Sequence, residues 1–140
     1  METVRRLQGA QATSADLTIY FSSGSKIMTP YAAPNMTISE LYIDPTSGNA
    51  RVQWSQGSSP RAISSVVGIP SSLVATNSST KAILQNQYVI LAEVNTTYTP
   101  TIGYVMKSSV TLSDIAYAIP RQSTCVFFPS TPSPATCPTS

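Results

Sequence analysis

Histidine is missing from all 140 residues, and that absence alone removes a wide range of chemistry. Ser-His-Asp and Cys-His nucleophile systems, a histidine general base and nearly every zinc or non-haem iron site go with it. Ionic side chains are scarce too, at 10% of the chain where a quarter is usual. Eight Lys and Arg against six Asp and Glu leave a net charge of +2, with no basic stripe to displace phosphate counterions. No nucleic acid is therefore expected as a partner. Two cysteines without histidine cannot complete a zinc tetrahedron, and calcium-loop spacing of acids is lacking. No metal or other cofactor is expected. No stretch approaches the roughly 20 apolar residues of a membrane span. Met1-Glu2-Thr3-Val4-Arg5-Arg6 is polar and leads into no apolar signal region.

What the chain does have is hydroxyls. Serine and threonine make up more than a quarter of it, beside 41% hydrophobic residues. The surface is thus wetted by hydroxyls and amides, and the length suits one domain with a real core. Low charge, abundant Ser/Thr and a Pro-rich end with two cysteines resemble exported proteins more than cytosolic ones. The expectation is a fragment that lacks an upstream targeting segment.

Along the chain, residues 1–12 read as a linker or the truncated end of an anchor helix, 13–128 as one folded domain, and 129–140 as a Pro/Ser/Thr-rich tail. Ser14 is placed to cap a helix over 14–29, with Asp16 at the positive end of its dipole. Leu17, Tyr20, Phe21, Gly24, Ile27 and Met28 recur at helical spacing, and Pro30 ends the run. Residues 36–44 are rich in β-formers, 44–49 are dense in turn residues, and 50–55 alternate, which predicts a hairpin with Ala50, Val52 and Trp54 on one face. Residues 56–80 are loop-like, with a short helix near 71–75. Two longer strands, 87–99 and 109–118, are expected to form a central antiparallel pair, with 124–128 continuing along an edge. The sum is α+β: one helix on an antiparallel sheet of about four strands. Trp54, Leu91 and Leu112 are the expected core, covered by Phe21 and Ile27.

Few constellations carry chemistry. Glu93 and Asp114 lie in the two long strands and would form an acid/base pair if they met in one cleft. The plainer expectation is a solvated position for each, or pairing with Lys107 or Arg121. Lys107-Ser108 is a weak Ser–Lys signal, as are the glycosylation acceptors at Asn35, Asn77 and Asn95 in so Ser/Thr-rich a chain. Trp54, Tyr98, Tyr104 and Tyr117 form a sugar-stacking patch only if they share a surface; packing is the commoner use of strand aromatics. Cys125 and Cys137 flank a Pro-rich stretch. In an oxidising compartment a bridge between them would staple a tail with no other means of docking, stabilising by about 3 kcal/mol in the chain-entropy model. Free thiols are the alternative.

Several segments, in order, resemble the C-terminal half of TadE/TadG-like pseudopilins of the bacterial tight adherence (Tad) pilus. These are Ile90-Leu91-Ala92-Glu93-Val94, Tyr98-Thr99-Pro100-Thr101-Ile102-Gly103-Tyr104-Val105, Val110-Thr111-Leu112-Ser113-Asp114, Tyr117 and Pro120-Arg121. Upstream, Thr13-Ser14-Ala15-Asp16-Leu17 with Ile27-Met28-Thr29-Pro30-Tyr31 resembles the family's helix after its anchor, and residues 44–55 resemble its hairpin. The resemblance implies a non-enzymatic pilus-assembly protein with a periplasmic or cell-surface head. It implies attachment to the inner membrane through an upstream helix, and contacts with other pilus subunits or assembly proteins. A sheet edge, or the loop with Tyr98, Pro100, Ile102 and Tyr104, is the expected contact surface. Since the family opens on a basic leader, a cleavage site and an apolar helix, Met1 is expected to be an internal start. Competing readings are a secreted or surface-displayed carbohydrate-binding adhesin module, and a small hydrolase using the two carboxylates.

Overall fold

A computed structural model describes residues 9–99, 108–121, 123–128 and 137. The chain runs β1 (Gly9–Gln11), α1 (Ser14–Ile27), β2 (Asn35–Ile43), β3 (Ala50–Gly57), β4 (Val66–Val67), a 3-10 turn (Ser71–Leu73), β5 (Gln87–Tyr98), β6 (Val110–Ala118) and β7 (Cys125–Phe127). The class is α+β: among the described residues, one α-helix and a five-stranded antiparallel sheet in the order β4-β3-β2-β5-β6. The sheet has one strand more than expected. The addition is β4, two residues of the long loop that pair with Ala50 and Arg51.

Local chemistry sets most boundaries. Thr13, rather than Ser14, caps α1. Its hydroxyl accepts the Asp16 N–H at 3.2 Å, and its own N–H donates to Asp16 Oδ2 at 2.9 Å. This reciprocal box satisfies two helix-end donors at once, and the Thr13 N–H and hydroxyl hold the Asp16 carboxyl below its ordinary pKa. The β2–β3 turn is tied by Asp44, whose carboxylate accepts the Thr46 N–H and the Ser47 hydroxyl. At the far end of β3, Gly57 has φ +138°, and a Cβ there would lie 2.1 Å from the Met36 carbonyl oxygen. Only glycine fits that approach.

The hairpin holds a correction. Pairing steps from Glu40↔Trp54 to Leu41↔Val52, so Gln53 is one residue extra on β3. Such a bulge reverses which face the following side chains take. Val52 therefore joins Leu41, Ile43, Ala50, Val67, Val89 and Leu91 on one face, whereas Trp54 joins Leu17 and Phe128 on the other. Ala50, Val52 and Trp54 do not share a face.

The first face is closed by the 58–86 loop, which supplies Ile69, Leu73, Val74 and Ile83. A polar chain clips that loop down. Ser39 and Ser55 hydroxyls meet at 2.8 Å, the Arg61 N–H donates to Ser55 Oγ at 2.9 Å, and the Arg61 guanidinium grips both oxygens of Glu93. The second face is covered in two halves. Leu17 and Phe21 of α1 rest on Trp54, Ile38 and Ile90, while β7 and Cys137 rest on Tyr42 and Tyr88. β7 does not extend the main sheet, contrary to expectation. It pairs in parallel with β1 as a separate ribbon and is bridged from Cys125 to Cys137.

Two core expectations fail here. Leu112 is 54% exposed and Ile27 is 81% exposed. The helix lies toward β3 and β7, and among the described residues no element reaches across to cover β6. Trp54 and Leu91 are buried as expected, though on opposite faces.

Candidate interaction site

The helix presents two apolar stripes, and the sheet uses only one. Leu17, Phe21, Gly24 and Met28 turn inward; a Cβ on Gly24 would meet the Met36 thioether at 2.6 Å, so the missing side chain lets the helix lie close over β2. Tyr20 and Ile27, seven residues apart on the adjoining stripe, stay exposed. They overlook a groove whose floor is the β5–β6 half of the sheet. Three adjoining hollows of about 250, 330 and 550 Å³ make up this groove. The first is lined by Tyr20, Phe21, Ile38, Ala92, Val94, Asp114 and Ala116. Ile27, Met36, Thr96 and Leu112 carry it onward, and it ends against Met28, Tyr31 and Tyr98. Tyr31 and Tyr98 meet edge to face, ring centres 5.7 Å apart.

Along its outer side runs β6, the last strand in the sheet order, which among the described residues has β5 as its one sheet neighbour. Eight of its nine residues are exposed, Tyr117 being the exception. Leu112 pairs with Thr96, Asp114 with Val94 and Ala116 with Ala92, which puts these three on the groove side. An open edge with a bare apolar flank is a template for another strand. Among the described residues Asp114 is the one charged residue of β6, no Lys or Arg lines any of the three hollows, and Glu93, which also borders the first, turns its carboxylate to Arg61.

The sequence-derived candidates are distributed as follows. Glu93 pairs with Ile115 in the register, so it and Asp114 point to opposite faces and do not form an acid/base pair. Glu93 is instead held by Arg61, whose hydrogen bonds keep its carboxyl below the ordinary pKa. The sugar-stacking set is not assembled. Trp54 is buried with its Nε1–H on the Val126 carbonyl at 2.7 Å, and Tyr117 packs on the loop-covered face, away from Tyr98. Tyr98 borders the groove. Its proposed companions Pro100, Ile102 and Tyr104 lie outside the described residues, as does Lys107. Asn35 and Asn95 hydrogen-bond to each other at 3.1 Å, and Asn77 is tied into a turn by Ser79 and Thr80.

Glu40 went unnoticed in the sequence. It is fully buried on β2, its Oε2 accepts the Val126 N–H, and its Oε1 has no hydrogen-bond partner among the described residues. Burial pushes its pKa from 4.5 up to about 8. With Trp54 on the Val126 carbonyl, both sides of that β7 residue are gripped by the sheet. No periodicity announces this, since Ser39-Glu40 reads as an ordinary polar pair in a strand. β6 did leave a signal. Its large apolar residues switch from even positions, Val110 and Leu112, to odd ones, Ile115 and Tyr117, on either side of Asp114. That break argues against a strand with one buried face. Among the described residues, no group of three His, Cys, Asp or Glu is placed to hold a metal, and no helix is long and apolar enough to cross a membrane. The chain matches no family model, no curated protein and no solved structure.

Proposed function

We propose that this chain is the head of a TadE-like pseudopilin, a non-enzymatic component of Tad pilus biogenesis and adhesion. In this reading an upstream helix anchors it in the inner membrane, the head lies in the periplasm or at the cell surface, and it acts by contact with other pilus subunits. Support for the family comes from the ordered segments across residues 13–121, and a helix laid on an antiparallel sheet is compatible with it. The observation that carries a contact role is β6: a nine-residue edge strand, almost wholly exposed, beside an apolar groove.

The test is genetic. Deleting the gene in its source bacterium should abolish or sharply reduce Tad piliation, and the wild-type gene should restore it. A Leu112→Lys allele should fold with an unchanged melting point, because Leu112 is more than half exposed, yet fail to restore pili. Normal piliation in the deletion strain would overturn the assignment.

A further inference from the structure

We propose that Asp114 reserves the β6 edge for a partner strand carrying a lysine or arginine at its middle, and turns away a second copy of this chain. This deepens the contact role proposed for β6 and rests on that reading.

An open strand edge pairs with whatever strand is most available, and for a secreted or assembled protein that is its own copy. β6 invites such pairing, with Val110, Leu112 and Ile115 exposed and one charge in nine residues. The position of that charge matters. Asp114 is the middle residue of Val110–Ala118. In a full-length antiparallel self-pair, the two-fold axis passes midway between the two middle residues, so Asp114 would stand directly opposite its own counterpart, both on the groove side. Like charges directly opposite one another destabilise a strand pair. Sliding the register by two residues shortens the ladder and sets the carboxylate against Leu112 or Ala116 instead.

A strand from another protein with a cation opposite Asp114 reverses the sign of that interaction. The cation must come with the partner, because no Lys or Arg lines the groove among the described residues. Two residues to either side of the cation, the same face of the partner would meet Leu112 and Ala116 under Tyr20 and Ile27, which calls for apolar side chains there. The occupant is thus an extended segment with a central cation flanked by apolar residues at alternate positions.

The chain itself supplies the probe. Wild-type protein and its Asp114→Lys variant, each alone, should sediment as monomers, since each opposes like charges at the two-fold. An equimolar mixture at low salt should sediment at about twice the monomer mass, associating at least about tenfold more tightly than either protein with itself. Added salt should weaken it. Amide hydrogen exchange in the mixture should show new protection over 110–118. Asp114→Asn provides a second variant, expected to self-associate more than wild type because the repulsion is gone. Dimerisation of wild type alone through β6 would overturn the proposal. So would a mixture that stays monomeric while both proteins show unchanged melting points, or protection that maps elsewhere. The piliation test needs no mixing of variants, so the assignment to the pilus and the rule for the edge can fail separately.

Discussion

β2 and β6 have the same length, lie on either side of the same strand and are built from nearly the same residues. Each holds a Thr, a Ser, one acid, a Leu, an Ile and a Tyr. Yet the last five residues of β2 are all buried, and β6 is exposed everywhere but at Tyr117. Composition does not separate them; neighbours do. β2 has β3 and β5 beside it, the 58–86 loop over one face and α1 with β7 over the other. β6 has β5 alone. The acids show the difference most clearly. Glu40 is sealed in and its pKa is driven up to about 8, whereas Asp114 stands in the open at mid-edge. In one strand an acid is a buried fastening for β7. In the other it polices what may pair.

The largest test of this contrast is matched truncation. Leu41, fully buried on β2, should lose about 2–5 kcal/mol on replacement by Ala, as buried leucines do. Leu112→Ala should fall within about 0.5 kcal/mol, as exposed sites do. Chemical denaturation measures both, and equal losses would break the contrast. Next in size is the tail. Cys137→Ser opens the bridge and should cost about 3 kcal/mol in the chain-entropy model. It should also shift the emission of Trp54, the one tryptophan in the chain, because its Nε1–H holds Val126 of β7, next to the bridged Cys125.

Glu40 adds a pH dependence of defined sign. Its folded-state pKa is raised from 4.5 to about 8, so between those values the native state keeps a proton that the unfolded state has released. Stability from this group is therefore full below about pH 4.5, declines as pH rises, and is lost once pH passes about 8. Tyr42 and Tyr88 face it from β2 and β5. Tyr88 is itself pushed up by burial and does not titrate in this window. Glu40→Gln should flatten the decline and make the protein more stable than wild type at pH 8, by an amount on the order of 1–3 kcal/mol. Unchanged pH profiles would show that Glu40 is not sealed. The smallest effect belongs to the loop clip. Glu93→Gln should cost no more than about 1 kcal/mol, because the Arg61 pair is partly exposed and solvent screens it.

Much of the secondary structure was legible because it is local. The Asp44 turn, the alternation on either side of it and the helical spacing from Leu17 to Met28 each depend on a few neighbouring residues. The faces were not legible, because they depend on pairing. The extra Gln53 on β3 becomes visible only when β2 fixes the register, and it alone moves Trp54 to the other side of the sheet. Leu112 and Ile27 looked like core because both belong to apolar patterns, but a pattern does not say whether another element reaches that side. The parallel pairing of β7 with β1 joins opposite ends of the chain, for which no local signal exists. The candidate site follows the same rule. Tyr98 was placed near it by a resemblance, whereas Tyr20, Leu112 and Asp114 emerged from the sheet order.

The most direct measurement of the central claim compares two exposed aliphatic positions in living cells. A photo-crosslinking amino acid placed at Leu112, on the bare strand, should capture a pilus subunit in piliated cells. The same group at Ile63, which is 71% exposed in the 58–86 loop, should capture none. Crosslinking to pilus subunits at Ile63 and not at Leu112 would contradict the account, and place the working surface away from β6.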